Sequence, residues 1–336
     1  MRFGLFGGAR TKRAPTVATH AGLGDSHSYR GFIDYVVEAE RLGLSSVFLV
    51  EHHFTGAGQV SASMTLLAYL AARTQRIRLG TAVVVLPWHN PVLIAEQAAT
   101  LDLLSGGRLD LGVGKGYRAA EFAGFCIPQH EATERFDEAI EVIRKAWTSG
   151  GRFSHHGKRW HYDNILVEPE PVQRPHPPLW LAAGSPDSIR RAARDGFNLL
   201  LDQLGSTGIT IERAAMFREE CARVGRSYDP CMVAVARALM MVRDDQDREA
   251  AYATRAQVWK VIGDLARGET PPEDIRRDDS PLLGTTEEIA VRLERLRAGG
   301  IENVLLVDPK ATLTGLRTFA AEVMPEFTKK REAAAD

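Results

Sequence analysis

RLGTAVVVLPWHNPVLIAEQAATLDLLSGGRLDLGVGKGY, residues 78–117, carries the pattern on which the fold turns. A β-branched and apolar run from Ile77 to Val84 gives way to a helical stretch from Pro91 to Leu104, and a second apolar run from Leu109 to Val113 follows. Strand, helix and strand in that order make the repeating unit of a parallel sheet.

The alternation continues on both sides. Candidate strands Arg2 to Phe6 and Ser46 to Val50 lie before it, and Leu179 to Ala183, Phe197 to Leu201, Met232 to Met241 and Asn303 to Val307 after it. Helical stretches separate them: Ser28 to Leu42, Ser61 to Arg73, Ala132 to Trp147, Pro186 to Asp195, Ile209 to Val224, Gln246 to Leu265 and Thr286 to Ala298, with Thr312 to Lys329 last. Eight such units predict an α/β fold of the (β/α)8 TIM barrel type, read as a single domain over 1–336, in preference to an open doubly wound sheet. Two segments interrupt the rhythm, about 150–178 after strand four and 267–283 after strand seven. Both are expected to be insertions, and the second, polar and proline-bearing, to be a mobile lid.

Composition fits this reading. The 336 residues are 44% hydrophobic and 25% charged, and 42 Lys plus Arg oppose 43 Asp plus Glu for a net charge of −1. Such a balance provides no field for drawing nucleic acid or an anionic membrane, so a small-molecule partner is expected. No apolar run reaches the length of a membrane helix, and the first residues read as a strand and not as a signal peptide. Cys126, Cys221 and Cys231 are odd in number and widely spaced, which fits a reducing cytoplasm and neither a disulfide framework nor a zinc site.

A barrel keeps its chemistry at the carboxyl ends of its strands. Strand two ends in Glu51-His52-His53-Phe54, where a histidine exchanges protons near neutral pH. Consecutive residues of an extended chain point to opposite sides, so His52 and His53 are not expected to share a metal ion. His155, His156 and His161 lie in a polar insertion without supporting ligands, and no metal site is assigned. Strand four ends in Gly114-Lys115-Gly116-Tyr117, where glycines admit a ligand to the backbone and Lys115 suits a phosphate; glycines that merely end a strand explain the pattern too. Gly184-Ser185-Pro186-Asp187-Ser188 opens a helix whose free N–H groups suit an anion, though an ordinary cap explains Ser185 equally well.

These segments resemble the bacterial luciferase-like flavin-dependent monooxygenases from end to end: VEHHF (50–54), the stretch 78–117, PPLWLAAGSPDS (177–188) and LLGTTEEIAVRLERL (282–296). The resemblance implies reduced FMN as co-substrate, dioxygen, a small organic substrate, a separate flavin reductase and a homodimer. It implies His52 as the catalytic base, with Glu51 and His53 beside it. Flavin would contact Ala82 and Val83, joined by a non-prolyl cis peptide, and also Lys115, Gly116, Tyr117, Gly184, Ser185 and Ser188. The chain departs from the luciferases in four places. Lys115 replaces an arginine on the phosphate, Gly184 a glutamate, Gly114 a reactive cysteine, and Gln203 an aromatic of the pocket, which puts light emission in doubt. Two other readings stand beside this one, a deazaflavin-dependent dehydrogenase on the same fold and a non-catalytic flavin-binding subunit. The EHH motif and Gly114 favour flavin over the first, and His52 argues against the second.

Overall fold

The computed structural model describes residues 1–11, 26–56, 58–262, 272–307 and 312–328. Its strands are β1 (Arg2–Gly7), β2 (Ser46–Leu49), β3 (Arg78–Thr81), β4 (Val84–Val85), β5 (Leu109–Gly114), β6 (Phe153–His156), β7 (His161–Ile165), β8 (Leu179–Ala182), β9 (Asn198–Leu201), β10 (Val233–Met241), β11 (Leu282–Gly284) and β12 (Asn303–Val307). Its α-helices are α1 (Ser26–Arg41), α2 (Ser63–Arg73), α3 (Pro91–Ser105), α4 (Ala119–Gly124), α5 (Ala132–Thr148), α6 (Pro186–Arg194), α7 (Thr207–Arg223), α8 (Asp245–Ile262), α9 (Thr286–Ala298), α10 (Leu313–Thr318) and α11 (Met324–Thr328). The fold class is the expected (β/α)8 barrel. No described helix is long and apolar enough to cross a membrane.

The chain packs as two compact units, Gly7–Val37 with Ser46–Ala182, and Met1–Phe6 with Glu38–Ser45 and the residues from Ala183 on. In the first, β2, β3, β5 and β8 run parallel in that order. Phe48 lies opposite Gly80 in the β2–β3 register. A Cβ on residue 80 would sit 2.4 Å from the Phe48 ring, so only glycine lets that ring lie flat against β3. The ring then meets Trp180 edge-on at 5.5 Å. Arg78 forks onto Asp110 at 2.7 and 2.9 Å, and the Trp180 indole donates to the same carboxylate, which ties β3, β5 and β8 together.

The expected strand from Ile77 to Val84 divides into β3 and β4, with Ala82 and Val83 between them. The segment 150–178 contains an antiparallel hairpin, β6 with β7, that sequence periodicity did not disclose because most of β7 is exposed. The final helix is broken too: a π-helical turn, Phe319–Val323, precedes α11, which contains Pro325 and its missing N–H.

In the second unit β9, β10, β12 and β1 run parallel in that order, and β11, which the sequence did not announce, pairs with the end of β10. Two arginines are fully buried here, Arg237 and Arg255. Arg237 donates to the carbonyl of Asp202 and to Thr210 Oγ1, and Arg255 to the carbonyl of Gln203, so both guanidinium groups grip the backbone that leaves β9. Arg255 also pairs with Asp278 at 2.7 Å and donates to Ser280, while the Trp259 indole donates to Asp278. Residues 278–280 of the expected lid are therefore latched to buried side chains. The first residues of that segment, 267–271, lie outside the described residues.

Burial would raise the Asp278 carboxyl, but the Arg255 charge and the bonds from Ser280 and Trp259 outweigh it and hold it below the usual aspartate range. A depressed folded-state value means stability that is present above the unfolded value and lost as pH falls through the folded one. Removing one partner of a buried pair costs about 3–5 kcal/mol. Arg255→Met is therefore expected to lower the unfolding free energy by about that amount at pH 7. In urea titrations across pH, the deficit should shrink below the ordinary aspartate range; a deficit independent of pH would dissociate Asp278 from the effect.

Candidate active site

Beyond β2 the chain stays extended through Glu51, His52 and His53, held by His52 N–H donating to the Val60 carbonyl at 2.9 Å. Side chains therefore alternate. Glu51 and His53 share one side, and His53 Nε2 lies 3.0 Å from Glu51 Oε1. His52 projects to the other, where its Nδ1 lies 3.1 Å from Glu121 Oε1. The same Glu121 oxygen accepts the His53 backbone N–H at 2.9 Å. The alternation that argued against a shared metal is the arrangement seen.

A third imidazole joins them. His89, following the short 3-10 turn Leu86–Trp88, places Nε2 2.8 Å from Glu51 Oε1. Burial would push the Glu51 carboxyl up, but the His53 and His89 hydrogen bonds outweigh it and hold it below the usual glutamate range. Glu51 is thus an anion at neutral pH, and an anion there only accepts. His53 and His89 must each present an Nε2–H to it.

Aromatic rings close this cluster off from one side. His53 packs edge-on against Phe125 at 4.7 Å and Trp88 at 5.5 Å, and Trp88 stacks on Phe125. Phe54 adds its ring to Phe125, and a Cβ at Gly124 would sit 2.4 Å from it. Trp88 Nε1 is buried without a hydrogen-bond partner among the described residues.

The peptide between Ala82 and Val83 is cis, as the resemblance implied. Gly114 faces it: a Cβ there would lie 2.5 Å from Val83 Cγ2, so the missing side chain is filled by Val83. Gly116 has φ +74, and a Cβ there would meet Val85 at 2.7 Å. Between them Lys115 is half-buried, donates to Thr133 Oγ1 at 3.3 Å and forms no ion pair among the described residues. Tyr117 is exposed and sets its ring edge-on to His52 at 6.5 Å.

Gly184, Ser185 and Ser188 belong to the other unit. Ser185 caps α6 by accepting the Ser188 N–H, and Ser188 Oγ donates back to the Ser185 carbonyl at 2.8 Å. A Cβ on Gly184 would come within 3.8 Å of the Arg213 guanidinium, so an arginine flanks the space that the missing glutamate side chain leaves. His155 is buried between Glu138 and Glu141, and His156 pairs with Asp163 on the surface.

Sequence reasoning thus named Glu51, His52 and His53 as candidates but missed the side chains they meet, Glu121 and His89. His89 carried a usable signal, since it too follows a strand end. Glu121 carried none: an acid two residues into a short helix reads as a surface carboxylate.

The pattern for luciferase-like monooxygenases matches residues 1–318 of the chain. The oxygenase component of a flavin-dependent trigonelline monooxygenase from Acinetobacter baylyi is 25% identical over 360 residues, covering 98% of this chain and 97% of that protein. Among solved structures, the oxygenating constituent of 3,6-diketocamphane monooxygenase from Pseudomonas putida, in complex with FMN, superposes with a TM-score of 0.80 at 18% identity over 98% of this chain and 99% of the other. An F420-dependent secondary alcohol dehydrogenase in complex with an F420-acetone adduct follows at 0.77 and 19%, over 98% and 99%. The chain is therefore a member of the luciferase-like monooxygenase family.

Proposed function

We propose that the chain is the oxygenase component of a two-component flavin monooxygenase, which takes FMN reduced by a separate reductase, and dioxygen, to oxygenate a small organic substrate in the cytoplasm. The observation that carries this reading is His52 at the end of β2, paired with a buried carboxylate and neighboured by a second carboxylate–imidazole cluster. Bound reduced FMN would supply the electrons that dioxygen needs. The residues do the rest. His52 exchanges a proton at the reacting centre, Glu51 and His53 fix its surroundings, and the Trp88 and Phe125 rings shield one side of that cluster. Ala82 and Val83 are assigned to the flavin ring, and Gly116 and Tyr117 to the flavin-binding surface.

Lys115 suits the flavin phosphate, because its charge has no carboxylate partner among the described residues. In the other unit, the start of α6 with Gly184, Ser185 and Ser188 offers donors of the same chemistry. The F420-dependent neighbour keeps a deazaflavin dehydrogenase as the rival, and dependence on oxygen separates the two.

A homodimer is supported by α2 and α3. On α3 the buried residues Ile94, Ala95, Ala98 and Leu101 cover one face, yet Leu93, Leu103 and Leu104 are exposed, and so is Tyr69 of α2. A helix apolar on both faces calls for cover on both. Leu104→Arg is expected to convert a dimer to monomers in sedimentation equilibrium; a parent that sediments as a monomer would end this reading.

With reduced FMN at saturation, His52→Ala is expected to bind flavin like the parent and to oxygenate substrate about two to four orders of magnitude more slowly. Oxygen-independent turnover of the parent with reduced deazaflavin would replace the monooxygenase reading with the dehydrogenase. A charge-assisted hydrogen bond contributes about 1.5–3 kcal/mol, so Lys115→Met should weaken anaerobic binding of reduced FMN roughly ten- to a hundred-fold. Riboflavin, without the phosphate, should bind as before. Calorimetry decides: equal losses for both flavins mean a disturbed fold, and no loss for either places the phosphate elsewhere.

A further inference from the structure

We propose that Glu121 is the positioning residue that sets the tautomer of His52, fixing the proton on Nδ1 and leaving Nε2 as the basic nitrogen. The proposal rests on the reading of His52 as the proton-exchanging group. Its carrier is one oxygen atom. Glu121 Oε1 lies 2.9 Å from the His53 backbone nitrogen, which has a hydrogen to give and no lone pair to receive one, so this oxygen accepts. The same oxygen lies 3.1 Å from His52 Nδ1. A carboxylate has no hydrogen to offer in return, so Nδ1 supplies it, and a neutral imidazole that carries its proton on Nδ1 has its lone pair on Nε2.

His53 follows the opposite rule. Its Nε2 faces the Glu51 anion, so there the hydrogen sits on Nε2. Two consecutive histidines are held in opposite tautomers by two buried carboxylates, each 3% exposed in its side chain. When His52 acts, one proton passes to Nε2 and the ring becomes an imidazolium. The Nδ1–H stays in place, and the carboxylate that oriented the ring now faces a full positive charge. Because the His53 amide fixes Oε1 independently of the His52 ring, the orientation exists before any ligand arrives.

The test reads tautomers directly. In the flavin-free chain labelled with 15N-histidine, at a pH where the imidazoles are neutral, His52 should show a protonated Nδ1 and a bare Nε2. His53 and His89 should show the reverse, the signals being assigned by their loss in His52→Gln, His53→Gln and His89→Gln. Glu121→Gln keeps an oxygen for the His53 amide, so the tautomer should persist; exchanging a charged for a neutral acceptor should lower kcat about tenfold with KM unchanged. Glu121→Leu should lose the Nδ1–H preference, and Glu121→Asp should restore part of it. A bare Nδ1 at His52 in the parent, or an unchanged tautomer in a folded Leu variant, overturns the proposal. If the Leu variant does not fold, the parent spectrum and the kcat of the Gln variant decide. The spectra need no flavin, so the expected tautomers in a chain that shows no flavin-dependent turnover would sink the monooxygenase reading and leave this one standing.

Discussion

A carboxylate withdrawn from water must be met by donors, and at the carboxyl end of β2 two of them are. Glu51 and Glu121 are both buried. Among the described residues, the donors that reach them come from the first unit: the His52 ring and the His53 amide and ring from the extended end of β2, and the His89 ring from the turn after β4. Left unpaired, either charge would cost several kcal/mol, so the local paths of the β2 end, the 3-10 turn and α4 are bound to one another by the need to satisfy it. The site is rigid for the same reason that it is polar.

Around this polar centre the packing is dictated by absences of side chains. Gly80 lets the Phe48 ring lie against β3, Gly124 admits the Phe54 ring, and Gly114 yields its space to Val83. The luciferases' reactive cysteine could not occupy position 114 here without displacing Val83, since even a Cβ would meet it at 2.5 Å. That departure therefore has a local structural reason. Lys115 between the two glycines keeps a positive charge with a point geometry in place of a fork, which preserves attraction for a phosphate and relaxes its direction.

The second unit answers burial of charge differently. Arg237 is fully buried with its guanidinium on the Asp202 carbonyl and Thr210, and its proton affinity is pushed down to about 10 by desolvation, which leaves it charged at neutral pH. Arg255 takes a carboxylate, Asp278. Arg255 fastens the backbone after β9, at the Gln203 carbonyl, to Asp278 and Ser280, so the part of that long connection nearest β11 is anchored.

Local periodicity made the architecture legible: strand and helix alternate with the periods that one buried face imposes, and the end of each strand points to where the chemistry collects. For that reason Glu51, His52 and His53 could be named as candidates from the sequence, and alternation along an extended chain already separated the two histidines. The resemblance supplied the cis peptide at Ala82 and Val83. What the sequence alone could not disclose was pairing at a distance. Glu121 lies 69 residues from His52 and His89 lies 38 from Glu51, and no local pattern records which acid faces which ring. The hairpin β6–β7 and the latch from Arg255 to Asp278 were hidden likewise, the one because most of β7 faces solvent, the other because charged residues in a helix and a loop read as surface. Burial of a charge is decided by what folds over it, and that is a property of the tertiary structure.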